Sequence, residues 1–159
     1  MLVTIIVDAS WCDQTKAAGY GAWIKSERSG VAIGGSLTPG LSDSGLAEMS
    51  AVLESIQTSI KEQLVMAGDF LLIQTDNMEA VKLFDRYPSS IDSERNENIN
   101  SIIRSINKLR FDHNLQIKMR HVKGHTNKPD TRSRANRHCD AQAKHYMKQQ
   151  RNIIMEQQK

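Results

Sequence analysis

With 159 residues, 39% of them hydrophobic, the chain is long enough for one domain with a buried core and too apolar for a disordered one. Its apolar runs are too short to span a bilayer, and it begins without the pattern of a secretory signal, so we expect a cytoplasmic protein. Its two cysteines form no CxxC pair, and we expect them to be reduced, with neither a disulfide nor a zinc site. The net charge of +3 divides into −7 for residues 1–100 and +10 for residues 101–159, which fits either a polyanion partner for the second part or a solvated basic helix surface.

The N-terminal segment predicts the centre of a sheet. Residues 2–7 are almost all apolar and mostly β-branched, a pattern typical of a strand covered on both faces. Asp8 follows directly, so we expect it at the carboxyl end of this strand, where open α/β sheets place their sites. Residues 19–25 and 31–37 then predict two further strands of an antiparallel meander.

The first long helix is predicted from an apolar stripe that begins at Leu46, with the N-cap among residues 42–44. Glu48 falls in the first turn, about 120° from the middle of that stripe, and is expected on the flank of the helix. There it either complements the helix dipole or serves as a ligand. A second buried strand over residues 70–75 ends in Asp76, which repeats the arrangement of the first strand.

The middle of the chain predicts two helices and one more strand. A short helix covers residues 77–84, and a longer one is capped by Asp92 or Ser93. Residues 115–121 alternate between apolar and polar side chains, as a half-buried strand does.

The last helix is expected to begin near Asn136, after a loop over residues 127–135, and Asp140 lies one position off its apolar stripe. The element order β-β-β-α-β-α-α-β-α predicts an α/β fold. Its sheet is mixed and five-stranded, with a three-strand antiparallel meander, α-linked strands and helices on the faces. We expect one domain over residues 1–150 and a frayed tail over residues 151–159.

Acids at the ends of two neighbouring strands repel one another if the fold brings them together, by about 4 kcal/mol per pair at ~4 Å and an effective dielectric constant near 20. The fragments that carry the acids resemble ribonuclease H of the type 1, bacterial HI-like branch over residues 2–150. These fragments are Asp8 after the first strand, Gly45–Ala51 with Glu48, Thr75–Met78 with Asp76, Val122–Thr126 with His125, and Asn136–Ala143 with Asp140.

The resemblance implies a single ribonuclease H-like domain that hydrolyses the RNA strand of RNA–DNA hybrids at a site with two Mg²⁺ ions, which Mn²⁺ can replace. It implies that Asp8 bridges the ions, that Glu48 and Asp76 hold one of them, and that Asp140 holds the other. His125 is implied in proton transfer or in product and metal release. The chemistry of the residues agrees, because carboxylates favour hard cations over zinc, and paired ions can activate water for phosphoryl displacement.

Polar and basic side chains near these fragments are candidate nucleic-acid contacts. Ser10, Ser44 and Asn77 are expected to play one of two roles. They either donate and accept hydrogen bonds with RNA 2′-hydroxyls and phosphates or cap local turns. Phosphate contacts are expected of Lys123, Lys128, Arg132, Arg134 and Arg137. Trp11 and Trp23 are interpreted as packing residues. We also expect a monomer without membrane association or a small-molecule cofactor.

The sequence departs from many ribonucleases H at three places. The first loop reads Asp13–Lys16 where a Gly/Pro-rich loop with an asparagine is common, and residues 42–44 replace the asparagines often found before the helix glutamate. A basic protrusion found in some members is missing from residues 85–98. These departures bear on substrate preference, and they leave one alternative open, a non-catalytic or differently specific nucleic-acid-binding domain on the same scaffold.

Overall fold

A computed structural model describes residues 1–85, 93–124 and 129–159 of the chain. The strands in these ranges are β1 (Leu2–Trp11), β2 (Ala18–Lys25), β3 (Gly30–Ser36), β4 (Phe70–Thr75) and β5 (Gln116–His121). The helices are α1 (Ser44–Lys61), α2 (Met78–Asp85), α3 (Glu94–Asp112) and α4 (Thr131–Gln157). None of the helices in the described ranges is long and apolar enough to cross a membrane.

The five strands form one mixed sheet in the order β3-β2-β1-β4-β5. Antiparallel pairing joins β1 to β2 and β2 to β3, whereas β1, β4 and β5 pair in parallel. The predicted meander with α-linked strands is therefore confirmed. β1 is the central strand, since it carries both the antiparallel and the parallel half of the sheet.

β1 is longer than the sequence predicted. It runs four residues beyond Val7, because its antiparallel pairing with β2 continues to Trp11 opposite Ala18. Its parallel pairing with β4 ends earlier, at Ile6 opposite Gln74. The prediction that Asp8 ends the strand was wrong, yet Asp8 still lies just past the last parallel pair, at the carboxyl edge of that half of the sheet.

The alternation of side chains along β1 separates two cores. Val3, Ile5 and Val7 point into the larger core, which the sheet shares with α1 and α3. Ile6 points to the opposite face, where it packs with Cys139 and Ala135 of α4. α4 crosses β1, β2 and β3 on this second face.

α4 differs from its prediction at both ends. It begins at Thr131, five residues before Asn136, because the Asp130 side chain caps the helix by accepting a hydrogen bond from the Ser133 N–H at 2.8 Å. It continues to Gln157, through most of the segment expected to fray. No glycine or proline interrupts residues 131–157, so nothing in the sequence stops the helix once it is capped.

Candidate active site

Asp8 lies at a point where the backbone of α4 closely approaches the sheet. Its partner across the antiparallel pair is Gly21, and a Cβ on this glycine would lie 2.5 Å from the Cys139 carbonyl oxygen and 2.8 Å from the Gln142 Cβ. Both distances are shorter than van der Waals contact allows, so a residue without a side chain is required here. The close approach brings the next helical residue, Asp140, beside Asp8.

Glu48 is buried, with 7% of its surface exposed. The prediction that it lies on the flank of α1 was wrong, because the buried face of the helix includes its small residues Ala47 and Ala51 and therefore reaches Glu48. One carboxylate oxygen accepts a hydrogen bond from the Ala9 N–H at 3.2 Å. The other, Oε2, is buried without a hydrogen-bond partner among the described residues.

The start of α1, and with it Glu48, is fixed by an ionic network. Asp43 caps the helix by accepting from the Leu46 N–H at 2.9 Å. Arg95 of α3 forms ion pairs with both Asp43 and Glu79 of α2. The Arg95 guanidinium and the Leu46 N–H hold the pKa of Asp43 below its usual value despite the opposing effect of burial.

Asp76 follows β4 and lies against the segment after β5. A Cβ on Gly124 would overlap the Asp76 side chain, at 2.9 Å from the Asp76 Cβ and closer still to a carboxylate oxygen. Glycine is thus the residue that lets this segment contact the carboxylate. The neighbouring Asn77 turns the chain into α2, where its side chain accepts from the Ala80 N–H at 2.8 Å.

The three carboxylates meet in one acidic cluster, which we define as Asp8, Glu48 and Asp76. One oxygen from each lies within 4.8 Å of the others. Burial first, and then the charge of Asp76 and contact with Asp140, raise the pKa of Asp8 to about 8. Burial, followed by the charges of Asp8 and Asp76, raises the pKa of Glu48 well above its ordinary value.

The acidic cluster has the properties of a site for a hard cation. Its donors are all carboxylate oxygens, the ligands that Mg²⁺, Mn²⁺ and Ca²⁺ prefer. The buried Glu48 Oε2 has no hydrogen-bond partner in the described part of the chain, and a buried polar atom of this kind is costly unless a ligand satisfies it. A divalent ion would also cancel the repulsion that raises the two pKa values. The residues present therefore fit a divalent metal.

Asp140 stands at the margin of the acidic cluster. It lines a small cavity together with Asp8 and Asp76, but it is not one of the three acids whose oxygens come within 4.8 Å of one another. Its carboxylate instead pairs with the Lys144 ammonium at 3.0 Å, one turn later on α4. Asp140 is thus within reach of the cluster and held by a cation that a metal could displace.

The predicted nucleic-acid contacts divide into two groups. Near the acidic cluster, Arg137 lines the same cavity, and Lys123 is exposed beside Gly124. Ser10 follows Asp8 along β1, while Ser44 is the exposed first residue of α1.

Arg132 and Arg134 lie elsewhere. They belong to the first turn of α4, not to the predicted loop, and they line a groove beside Trp23 on the α4 face of the sheet. Trp23 itself is partly buried against the smaller core. His125 and Lys128 lie outside the described residues.

Two residues of the cavity were not predicted. Ser133 and Asn136 line it together with Asp140. Residues 133, 136, 137 and 140 follow the helical period, but residue 133 was predicted to lie in a loop, so the pattern could not be recognised in the sequence. The N-cap aspartate at position 130 was the signal that would have revealed it.

Solved ribonucleases H have the same fold. The RNase H1 of the halophilic archaeon Halobacterium salinarum NRC-1 matches with 13% identity and a TM-score of 0.69 over 94% of this chain and 99% of that chain. The N-terminal RNase H domain of a Mycobacterium tuberculosis protein matches with 14% identity and a TM-score of 0.69 over 96% and 97%. LC11-RNase H1, solved in complex with an RNA/DNA hybrid, matches with 11% identity and a TM-score of 0.66 over 92% and 97%.

Among curated proteins the chain has no significant match, and the identities to solved structures are low enough that those likenesses show the fold alone. The sequence model of the RNase H family, in contrast, matches residues 2–148. That match spans nearly all of the described sheet, the acidic cluster and most of α4, and it shows that the chain belongs to the RNase H family.

Proposed function

We propose that the protein is a metal-dependent endoribonuclease that hydrolyses the RNA strand of RNA–DNA hybrids. The observation that carries this proposal is the acidic cluster, in which a buried glutamate with an unpaired oxygen meets two aspartates within 4.8 Å in a chain of the RNase H family. The similar LC11-RNase H1 was solved with an RNA/DNA hybrid bound, which supports the choice of substrate.

Four side chains of this chain would hold the two divalent ions. These side chains are Asp8, Glu48, Asp76 and Asp140, and Asp8 is central to the set because it interacts with each of the other three. When bound, such ions lower the pKa of a coordinated water and neutralise charge on the attacking and leaving oxygens of a phosphodiester.

The protein contributes rigid positions for these ligands. The Ala9 N–H orients one oxygen of Glu48 and leaves the other directed at the cluster. Gly124 and Gly21 permit the close approach of two further chain segments, which fixes Asp76 and Asp140 relative to Asp8. Positions held in this way reduce the reorganisation needed when the phosphodiester binds.

Other residues would bind the substrate. Arg137, in the cavity wall, and the exposed Lys123 would contact phosphates on either side of the scissile bond. Ser10, Ser44 and the backbone beside Asn77 would hydrogen-bond to the ribose 2′-hydroxyls that distinguish RNA from DNA. We assign His125 to proton transfer or product release.

The decisive experiment compares four internally labelled duplexes, each with Mg²⁺, with Mn²⁺ and with chelator: RNA–DNA, RNA–RNA, DNA–DNA, and DNA with a single ribonucleotide. We expect internal cleavage of the RNA strand of the RNA–DNA hybrid, dependent on the metal. Glu48→Gln should abolish cleavage, while Glu54→Gln, two turns along the same helix, should retain it.

The alternative function predicts a different result. A non-catalytic binding domain would bind the hybrid and leave it uncut under every metal condition. Cleavage that persists in chelator, or equal cleavage of all four duplexes, would contradict the proposed mechanism and substrate respectively.

A further inference from the structure

The face of the sheet that carries α4 is only half covered. α4 packs on β1, β2 and β3. In the described part of the chain, no helix packs against β4 and β5 on the same face as extensively as α4 packs against the other three strands. We call this region the open sheet face and define it by Thr4, Leu72, Gln74, Lys118 and Arg120, of which Gln74 is buried and the other four are partly or fully exposed.

Strand register places cations at both ends of one row that crosses this face and at one end of a second row. The first row runs Lys25, Thr4, Leu72, Lys118 from β2 to β5, and the second runs Trp23, Ile6, Gln74, Arg120. Neighbouring strands are about 4.8 Å apart, so the two lysines of the first row stand roughly 14 Å apart with uncharged residues between them. Arg132 extends the positive surface from α4, because it lines the groove with Thr4, Lys25 and Gln74.

These cations are not neutralised by the described part of the protein. The side chains of Lys25, Lys118, Arg120 and Arg132 are exposed, and these side chains form no hydrogen bond or ion pair with any residue in the described ranges. Four unpaired cations on one face attract a polyanion.

The open sheet face leads directly to the acidic cluster. Side chains two residues apart on a strand point to the same face, about 6.6 Å further along. The row that contains Ile6 and Gln74 is therefore followed, one such step later, by Asp8 on β1 and by Asp76 directly after the end of β4. A polyanion bound to the open sheet face could therefore reach the acidic cluster along the same side of the sheet.

The composition of the face favours a single strand over a duplex. Leu72 and Trp23 are half-buried and offer apolar surface between the cations. Single-stranded nucleic acid uses both features, since its bases lie on apolar or aromatic side chains while its phosphates meet lysine and arginine. A duplex presents phosphates but keeps its bases stacked inside, so the apolar strip would gain nothing from it.

We propose that the open sheet face binds the single strand that extends from a hybrid held at the acidic cluster. This proposal rests on the proposed function, because that function brings the hybrid to the cluster. The protein would then bind best where a hybrid passes into single-stranded nucleic acid.

The test measures dissociation constants by fluorescence anisotropy in chelator, so that no probe is cut. The probes are a blunt hybrid, the same hybrid with ten-nucleotide single-stranded extensions at each end in turn, and the single strand alone. We expect the wild-type protein to bind one extended hybrid at least ~5-fold more tightly than the blunt one, which corresponds to stacking of a single base. Lys118→Ala/Arg120→Ala should remove this preference and lower the salt slope for the extended probe by about 1.4.

The matched control removes one lysine and one arginine elsewhere. Arg104 on α3 and Lys148 on α4 are exposed, so Arg104→Ala/Lys148→Ala gives the same net charge and should keep the preference. Metal-dependent cleavage of the blunt hybrid, measured in parallel, should be unchanged in both double variants. If the wild-type protein fails to cleave the blunt hybrid, that result refutes the proposed function, whereas the binding preference still tests this proposal.

Three outcomes would overturn the proposal. The wild-type protein could bind blunt and extended hybrids equally, or the control variant could lose the preference as fully as Lys118→Ala/Arg120→Ala does. The third outcome is that the protein binds poly-glutamate, a probe for acidic peptides, and shows no preference for extended hybrids. The open sheet face would then serve a protein partner.

Discussion

Asp8→Asn tests the central physical argument, that carboxylates are held together here against their own repulsion. At 4.8 Å and an effective dielectric constant near 20, two unit charges repel by about 3.5 kcal/mol. Burial and then the charges of Asp76 and Asp140 raise the pKa of Asp8 from 3.8 to about 8, so the cost of burying the charge adds to this repulsion. Asparagine has nearly the same shape, can still accept from the Ala9 N–H that Asp8 binds at 3.0 Å, and carries no charge.

The pH dependence follows from the direction of this shift. Below about pH 4 the carboxyl is protonated in both the folded and the unfolded chain, and the variant should have no effect on the free energy of unfolding. Between pH 4 and pH 8 the folded chain keeps a proton that the unfolded chain releases, so the wild-type protein loses about 1.4 kcal/mol of stability per pH unit from this group. The loss reaches about 4 kcal/mol at pH 7 as an upper figure.

The assay is urea unfolding in chelator at pH 4.5, 6 and 7.5. We expect Asp8→Asn to be more stable than the wild-type protein by about 2–4 kcal/mol at pH 7.5 and nearly equal to it at pH 4.5. With Mg²⁺ the wild-type protein should gain stability, since the metal binds only the folded state, and the variant should gain little. The variant should also lack cleavage activity.

The control is Asp13→Asn, which removes an acid that is 81% exposed. It loses only a surface ion pair with Lys16 and should change stability by no more than about 0.5 kcal/mol at any pH. Equal pH dependence of Asp8→Asn and wild-type protein would show that Asp8 carries no repulsion. Cleavage at the wild-type rate would show that Asp8 is not a ligand.

Three further predictions concern a histidine, two arginines and a glycine. His125→Ala should slow turnover by about 10²-fold, as loss of a proton-transfer group does, without abolishing it in single-turnover kinetics; complete loss would make the residue indispensable and its proposed role wrong. Arg132→Ala/Arg134→Ala should weaken hybrid binding and reduce the salt slope by about 1.8, and an unchanged slope would remove both from the interface. Gly124→Ala should lower kcat/KM at least ~10-fold by displacing the neighbouring carboxylate, whereas Gly35→Ala, whose Cβ would meet only an ordinary 3.5 Å contact, should not.

The sheet could be predicted because its signals are local. Residues 2–7 and 70–75 are short apolar runs, each followed by an aspartate, and the observed sheet places them side by side at its centre. The helical linkers between β4 and β5 required parallel pairing. The mixed sheet with its meander and the position of two acids at one edge therefore followed from periodicity and connection length, whereas the strand order β3-β2-β1-β4-β5 was not predicted.

The depth of Glu48 could not be predicted in the same way. The apolar stripe of α1 was drawn through its large residues, which placed Glu48 beside the stripe. In the fold the buried face also includes the small residues Ala47, Ala51, Ser55 and Ser59. Small side chains allow a helix to approach a sheet closely, and the approach buries whatever lies between them, including a carboxylate.

The geometry of the acidic cluster depends on contacts that no local pattern contains. Gly21 and Gly124 are far apart in the sequence, and each meets a segment that is distant along the chain: α4 in one case, Asp76 in the other. As glycines in a sequence they predict turns equally well. Only the packed structure shows that their missing Cβ atoms leave room for Asp140 to come beside Asp8 and for the segment after β5 to contact Asp76. The acids can be identified from the sequence, but the short distances between them depend on these glycines, which is why a single methyl group at position 124 is expected to impair activity while every acid remains in place.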